Sequence, residues 1–157
     1  MGVTTENTGR LFVVVQAILL IGLIALPKST HWPTPSAVNA AGIVIVLAGI
    51  GLVLAAATDL GAALTATPVP KVGGHLRTGG LYGYVRHPIY SGVLLAVAGA
   101  TMRSGNLVTL ATAGVLLAFF TMKAHWEEAR LAERYGEYHN YALSTPRFVP
   151  RFWKRPT

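Results

Sequence analysis

The chain has 157 residues, of which 52% are hydrophobic and only 12% charged, with a formal net charge of +7 and no cysteine. A water-soluble domain usually carries about 25% charged residues, so the composition excludes a disordered chain and an ordinary soluble globule. The absence of cysteine excludes disulfides, thiolate metal sites and thiol nucleophiles. Excess basic charge on so apolar a chain points to an anionic membrane face, and nucleic acid is set aside because it explains none of the apolar runs. The expectation is an all-α integral membrane protein, a single domain over 1–157, with about four transmembrane helices and a cytoplasmic C-terminal helix and tail.

Four apolar runs carry that expectation. The first, 11–26, is broken only by Gln16 and bounded by Arg10 and Pro27-Lys28. It falls short of the ~20 residues of a usual span, but its flanking cations can snorkel to the interfaces. No small-x-small cleavage site follows Leu26, so the run reads as an uncleaved helix rather than a signal peptide. The second run, 37–57, is long enough to span. The third and fourth, 89–102 and 107–122, are short and separated only by Arg103-Ser104-Gly105-Asn106, which predicts a tight helical hairpin. The third is either a full span or re-entrant. Gly92, Ala96 and Ala100, then Gly114 and Ala118, recur every four residues and predict close packing within the hairpin.

Basic residues set the orientation. With four spans, Arg10, Lys71, Arg77, Arg86, Lys123, Arg130, Arg134, Arg147, Arg151, Lys154 and Arg155 share one side, against Lys28 and Arg103 on the other. Both termini are therefore expected in the cytoplasm, and the compact design without cysteine fits a bacterial inner membrane.

Polar chemistry is concentrated in two segments, 71–90 and 123–150, which enter and leave the hairpin. An antiparallel pair brings both to the same membrane face, so they are expected to meet. In the first, Pro88 suits the first turn of a helix, and the free N–H groups there, with Arg86 beside them, suit a carboxylate or phosphate. The bland alternative is that Arg86 and His87 only anchor a helix at the headgroups. In the second, Glu127 can pair with Arg130 or approach Lys123, as on any solvated helix face, yet two adjacent acids on a basic face also suit a cationic ligand. His75, His87, His125 and His139 show no metal-ligand spacing, and no metal is expected. The segment after Tyr141, alternating aromatic and basic residues, reads as a headgroup anchor or as a lid.

The run Gly80-Leu81-Tyr82-Gly83-Tyr84-Val85-Arg86-His87-Pro88-Ile89-Tyr90-Ser91-Gly92 fits the pattern G-x-Y-x-x-x-R-H-P-x-Y-x-G. Together with Glu127-Glu128-Ala129-Arg130-Leu131, Tyr135-Gly136, Tyr138, Tyr141 and Pro146-Arg147-Phe148-Val149-Pro150, it resembles the isoprenylcysteine carboxyl methyltransferase family and, more broadly, the small membrane phospholipid methyltransferases. The resemblance covers about residues 71–150, and the first two runs resemble nothing in particular. It implies methyl transfer from S-adenosylmethionine to a lipid or lipid-modified acceptor at the cytoplasmic face. Carried over by position, Gly74, His75, Leu76, Arg77 and Tyr82 line the adenosine side. His87, Pro88, Ile89 and Tyr90 form the helix-start part, and Glu127, with Glu128 beside it, holds the amino group. Lys123 stands where the family often has an acceptor-side arginine, and a lysine is a point charge rather than a bidentate fork.

The chemistry of the two segments agrees with that role. S-adenosylmethionine carries a carboxylate, an ammonium and a sulfonium, and Arg86 with Glu127 offers a basic and an acidic partner. Arg86 and Lys123 stand as the candidate catalytic residues. A carboxylate acceptor needs no general base; an amine acceptor does, and His87 or Glu128 would be the first choice. The competing readings are an NADPH-dependent membrane reductase and a non-enzymatic four-helix membrane protein. Transport is disfavoured because the first two runs contain no charged residue. Neither the acceptor nor the oligomeric state is legible.

Overall fold

The computed structural model describes residues 2–61 and 76–151, with side chains from residue 6 onward. The predicted cofactor residues Gly74 and His75, and the basic end 152–155, lie outside the described residues. Within them the protein is all-helical, with α1 Gly2–Ala25, α2 Ser36–Leu60, a short 3-10 turn Gly80–Gly83 (the glycine turn), α3 Pro88–Ser104, α4 Leu107–Arg134 and α5 Tyr138–Ser144. Three stretches, Glu6–Ala25, Ser36–Leu60 and Leu107–Arg134, are long and apolar enough to cross a membrane. α3 is one continuous helix of 17 residues, about 26 Å at 1.5 Å per residue, at the lower limit for a span of a ~30 Å hydrocarbon layer. Among the described residues three helices therefore meet the requirement where the sequence suggested about four.

α4 is longer than its apolar run. Its 28 residues reach about 42 Å, so the turns after residue 122 project beyond the apolar stretch and carry Lys123, Glu127 and Glu128. Asn106 starts this helix by accepting from the Val108 N–H at 2.8 Å, which satisfies one of the N-terminal donors left without an intrahelical partner. Its amide also donates to the Pro27 carbonyl at 2.8 Å. The α1–α2 connection is tied to the hairpin turn by Ser29 N to Ser104 O, 2.8 Å, and His31 N to Gly105 O, 2.9 Å. These contacts close one end of the bundle, and the polar segments gather at the other.

Of the small-residue stripe of α3, Gly92 and Ala96 face α2 rather than α4, with Gly99 on the same side, while Ala100 packs against the cluster of Leu23, Val97, Leu116, Phe119 and Phe120. A Cβ on Gly92 would stand 2.7 Å from the Gly49 carbonyl oxygen, and one on Gly99 would stand 2.7 Å from that of Gly42. Both pairs are seven residues apart, two turns of helix, so two antiparallel backbones touch at two successive levels. A Cβ on Gly114 of α4 would meet nothing within 4 Å, because α4 packs on α1 and α3 through larger side chains. Phe12 meets Phe119 and Trp126 with ring centroids 5.9 and 5.3 Å apart, while Leu116 and Phe120 are fully buried. Ile18, Ile21 and Ile24 of α1, Val44, Leu47 and Leu54 of α2, and Val115 and Leu117 of α4 point outward. Such apolar outer faces are the surface a helix bundle offers to lipid.

Candidate functional site

Above the aromatic floor, the chain entering α3 meets the end of α4. Pro88 occupies the first turn of α3, where its fixed φ and missing N–H cost nothing. Arg86 and His87 therefore stand just outside the helix, in backbone free to pair elsewhere. They pair with the segment after α5: Arg86 N donates to Pro146 O at 2.8 Å and His87 N to Arg147 O at 3.1 Å. The Ser91 hydroxyl adds a bond to Phe148 O at 2.7 Å. Residues 145–148 thus form a strap across the head of α3.

Glu128 gathers the charges under that strap. Its Oε1 accepts from Arg86 Nε at 3.2 Å, Arg86 Nη2 at 3.1 Å and Arg147 Nε at 2.9 Å, and faces His87 Nε2 at 3.0 Å. Its Oε2 accepts from Arg147 Nη2 at 2.8 Å. Arg86 Nη1 donates in turn to the carbonyls of Ala142, 2.7 Å, and Thr145, 2.6 Å. Charge-assisted, bidentate bonds of this kind are the strong ones. The Glu128 carboxylate in turn holds the Arg147 guanidinium above its ordinary pKa. Both Arg86 and Glu128 are consumed by one another and by the strap.

Glu127 has a different surrounding. One oxygen, Oε2, accepts from the Tyr90 hydroxyl at 2.9 Å and lies 3.6 Å from His87 Nδ1. Among the described residues, no donor reaches the other oxygen, Oε1. The side chain is 22% exposed, against 12% for Glu128 and 7% for His87. His87 and Tyr90 are stacked, with ring planes 4° apart and centroids at 5.1 Å, so both His87 nitrogens face carboxylates and the Tyr90 hydroxyl is aimed by the stack. Neither expected partner bonds Glu127 directly, although Lys123 stays within electrostatic range of it. Arg130 donates to Trp126 O at 2.8 Å and lies over the Trp126 ring. Lys123, 4% exposed, donates to Gln16 Oε1 at 2.6 Å and sits 5.0 Å from the Tyr90 ring centroid.

The glycine turn lies alongside. Tyr82 is buried, and burial together with nearby Glu127 pushes its phenol up, with Arg77 opposing. Tyr141 donates its hydroxyl to Tyr82 O at 2.6 Å, and burial pushes that phenol up to about 12, so it remains a donor at neutral pH. The Tyr138 hydroxyl, on a residue only 4% exposed, has no hydrogen-bond partner among the described residues. Burial and the neighbouring Glu128 carboxylate raise its pKa as well. A buried hydroxyl without a partner is costly, and this one lies among the acids.

Of the residues singled out from the sequence, Tyr82, Arg86, His87, Pro88, Tyr90, Lys123, Glu127 and Glu128 come together at this end. Ile89 lies one residue into α3, Leu76 precedes the glycine turn, and Arg77 is exposed within electrostatic range of Tyr82. Three residues were not anticipated: Gln16, Arg147, and Asp59, whose Oδ2 accepts from the Leu81 N–H of the glycine turn. Each carries a signal in hindsight. Gln16 alone interrupts the first apolar run, and Asp59 is the single acid between Glu6 and Glu127. Arg147 sits in a tail that reads equally well as an anchor or a lid.

The sequence model of the phospholipid methyltransferase family matches residues 38–138, from the start of α2 to the start of α5. The chain belongs to that family. Among curated proteins it is similar to a protein-S-isoprenylcysteine O-methyltransferase of Schizosaccharomyces pombe, 40% identical over 77 residues, 48% of this chain and 33% of that protein. It is also similar to a methanethiol S-methyltransferase of Pseudomonas deceptionensis, 36% identical over 91 residues, 57% of this chain and 34% of that protein. The alignments thus cover about a third of the length of each relative. Gln16 and Arg147 lie outside the family match.

Proposed function

We propose that this protein is an S-adenosylmethionine-dependent methyltransferase that works at the cytoplasmic membrane face on a lipid or lipid-modified acceptor. The observation that carries the reading is Glu127, a carboxylate set among aromatic rings with one oxygen held by Tyr90 and the other without a donor among the described residues. It stands beside a glycine turn and a helix start that belong to the family match. S-adenosylmethionine supplies, when bound, a methyl group already activated by its sulfonium.

The residues present fit that group. Glu127 Oε1 suits its ammonium, and the Tyr138 hydroxyl, without a partner among the described residues, is a second polar group in want of a ligand. Arg86 does not take the carboxylate, because its guanidinium is committed to Glu128 and two carbonyls. That part falls instead to exposed Arg77 and to the N–H groups of Ile89 and Tyr90, which have no partner within the helix. Stacked His87 and Tyr90 keep Glu127 aimed, and the aromatic floor excludes water, so positioning and desolvation do most of the catalysis. Lys123 lies on the α1 side of Tyr90, bonded to Gln16. The two relatives are named for different acceptors, an isoprenylcysteine oxygen and the sulfur of methanethiol. The difference in acceptor between them supports a common donor site, and α1, which lies outside the family match, is the first candidate for shaping the acceptor side.

The test is transfer of a radiolabelled methyl group from S-adenosylmethionine into lipid-extractable material by protein reconstituted in a bacterial lipid extract. Label in the lipid phase from wild type and none from Glu127→Gln is the expected result. No transfer by a protein that also fails to bind S-adenosylmethionine overturns the reading.

A further inference from the structure

Asp59 lies far from the two glutamates in sequence and has no part in the chemistry above. It stands in the last turn of α2, where the helix macrodipole disfavours an anion, and among the described residues no cation lies within ion-pair distance of it. Its Oδ2 accepts from the Leu81 backbone N–H at 2.7 Å. The neighbouring Gly80 has φ +60°, and a Cβ on it would run into the Asp59 carboxylate. Glycine is thus required there twice over, for the backbone conformation and for the approach of the acid. α2 is itself locked to α3 by the glycine crossing, which fixes its end relative to the head of α3. On its other side the glycine turn is held by Tyr141, through Tyr82 O at 2.6 Å.

We propose that Asp59 is a positioning residue, a latch that fastens the glycine turn to α2 and so holds Tyr82 beside Glu127. The proposal rests on the cofactor reading of that site. Its chemistry is that of a carboxylate accepting one backbone N–H. An asparagine retains an acceptor oxygen and the same reach, whereas an alanine does not.

The test combines hydrogen exchange at the Leu81 amide with calorimetric titration of S-adenosylmethionine into detergent-solubilised wild type, Asp59→Ala, Asp59→Asn and Gly80→Ala. Asp59→Ala is expected to speed Leu81 exchange and to raise the Kd, each by about tenfold, as for loss of a hydrogen bond to a charged group. Its thermal midpoint should stay near that of wild type. Asp59→Asn should stay within about twofold of wild type in both readouts, and Gly80→Ala should follow Asp59→Ala. Normal Leu81 protection in Asp59→Ala overturns the latch. Lost protection with an unchanged Kd overturns the positioning role, and Asp59→Asn as weak as Asp59→Ala overturns the hydrogen bond as its cause. A wild type that binds no S-adenosylmethionine overturns the cofactor reading first and this proposal with it.

Discussion

Glu127 and Glu128 are neighbours on one helix, yet they stand in two different regions. Around Glu128, two guanidiniums, an imidazole and the strap leave the carboxylate fully subscribed. Around Glu127, a stacked His87–Tyr90 pair holds one oxygen and leaves the other without a donor among the described residues. Successive helical residues point about 100° apart, so the rotation of α4 decides which acid builds the scaffold and which faces a ligand. That rotation is set lower down, where Phe119 and Phe120 pack into the floor. On the proposed reading, the same acid chemistry serves architecture in one case and recognition in the other.

The comparison can be broken most severely at Glu128. Glu128→Ala leaves Arg86, His87 and Arg147 without their common anion, and breaking a buried ion pair from one side costs about 3–5 kcal/mol. We expect the protein to lose its monodisperse peak in size-exclusion chromatography and much of its thermal stability. A well-folded Glu128→Ala would show that the knot contributes little. Gly49→Leu comes next. Its Cβ would lie 2.5 Å from the Gly92 carbonyl oxygen, so α2 and α3 must separate, and overpacking of this sort costs about 1–3 kcal/mol. A lower thermal midpoint and weaker cofactor binding are expected together, because the crossing also carries Asp59.

Smaller changes sharpen the contrast. Arg147→Lys keeps the charge but loses the paired bonds to both oxygens of Glu128. We expect faster proteolysis of the strap, about 1 kcal/mol of lost stability, and S-adenosylmethionine affinity within about twofold of wild type. A large affinity loss in this variant would move the ligand toward Glu128. The smallest effect concerns Tyr141. A free phenol ionises near 10 and Tyr141 near 12, so its contribution is complete below pH 10 and fades as pH rises toward 12. Tyr141→Phe should flatten the loss of thermal stability across that window, and an unchanged alkaline profile would show that burial of this phenol adds no pH-dependent stability.

Much of this arrangement was legible in the sequence. The apolar runs located the helices, the four-residue break located the hairpin, and an antiparallel hairpin must bring its two flanks to one end. The helix-start motif and the paired acids therefore had to meet. The partner of the small-residue stripe was not legible, because spacing by four names a face and not what it faces. Gly42 and Gly49 on α2, seven apart, were the missing half of that pattern. Arg86 was read as an anion site from its place beside free N–H groups, but a guanidinium takes the best acceptors within reach. Those come from α4, α5 and the strap, more than 40 residues away. Gln16 and Lys123 are 107 residues apart, and no local pattern links them.

The central claim is that Glu127 binds the cofactor while Glu128 builds the site. Calorimetric titration of S-adenosylmethionine into Glu127→Gln, beside wild type of equal thermal stability, tests it most directly. The account predicts saturable binding by wild type and at least about tenfold weaker binding by the variant, the loss of one charge-assisted bond. Equal affinity in the two proteins would contradict it.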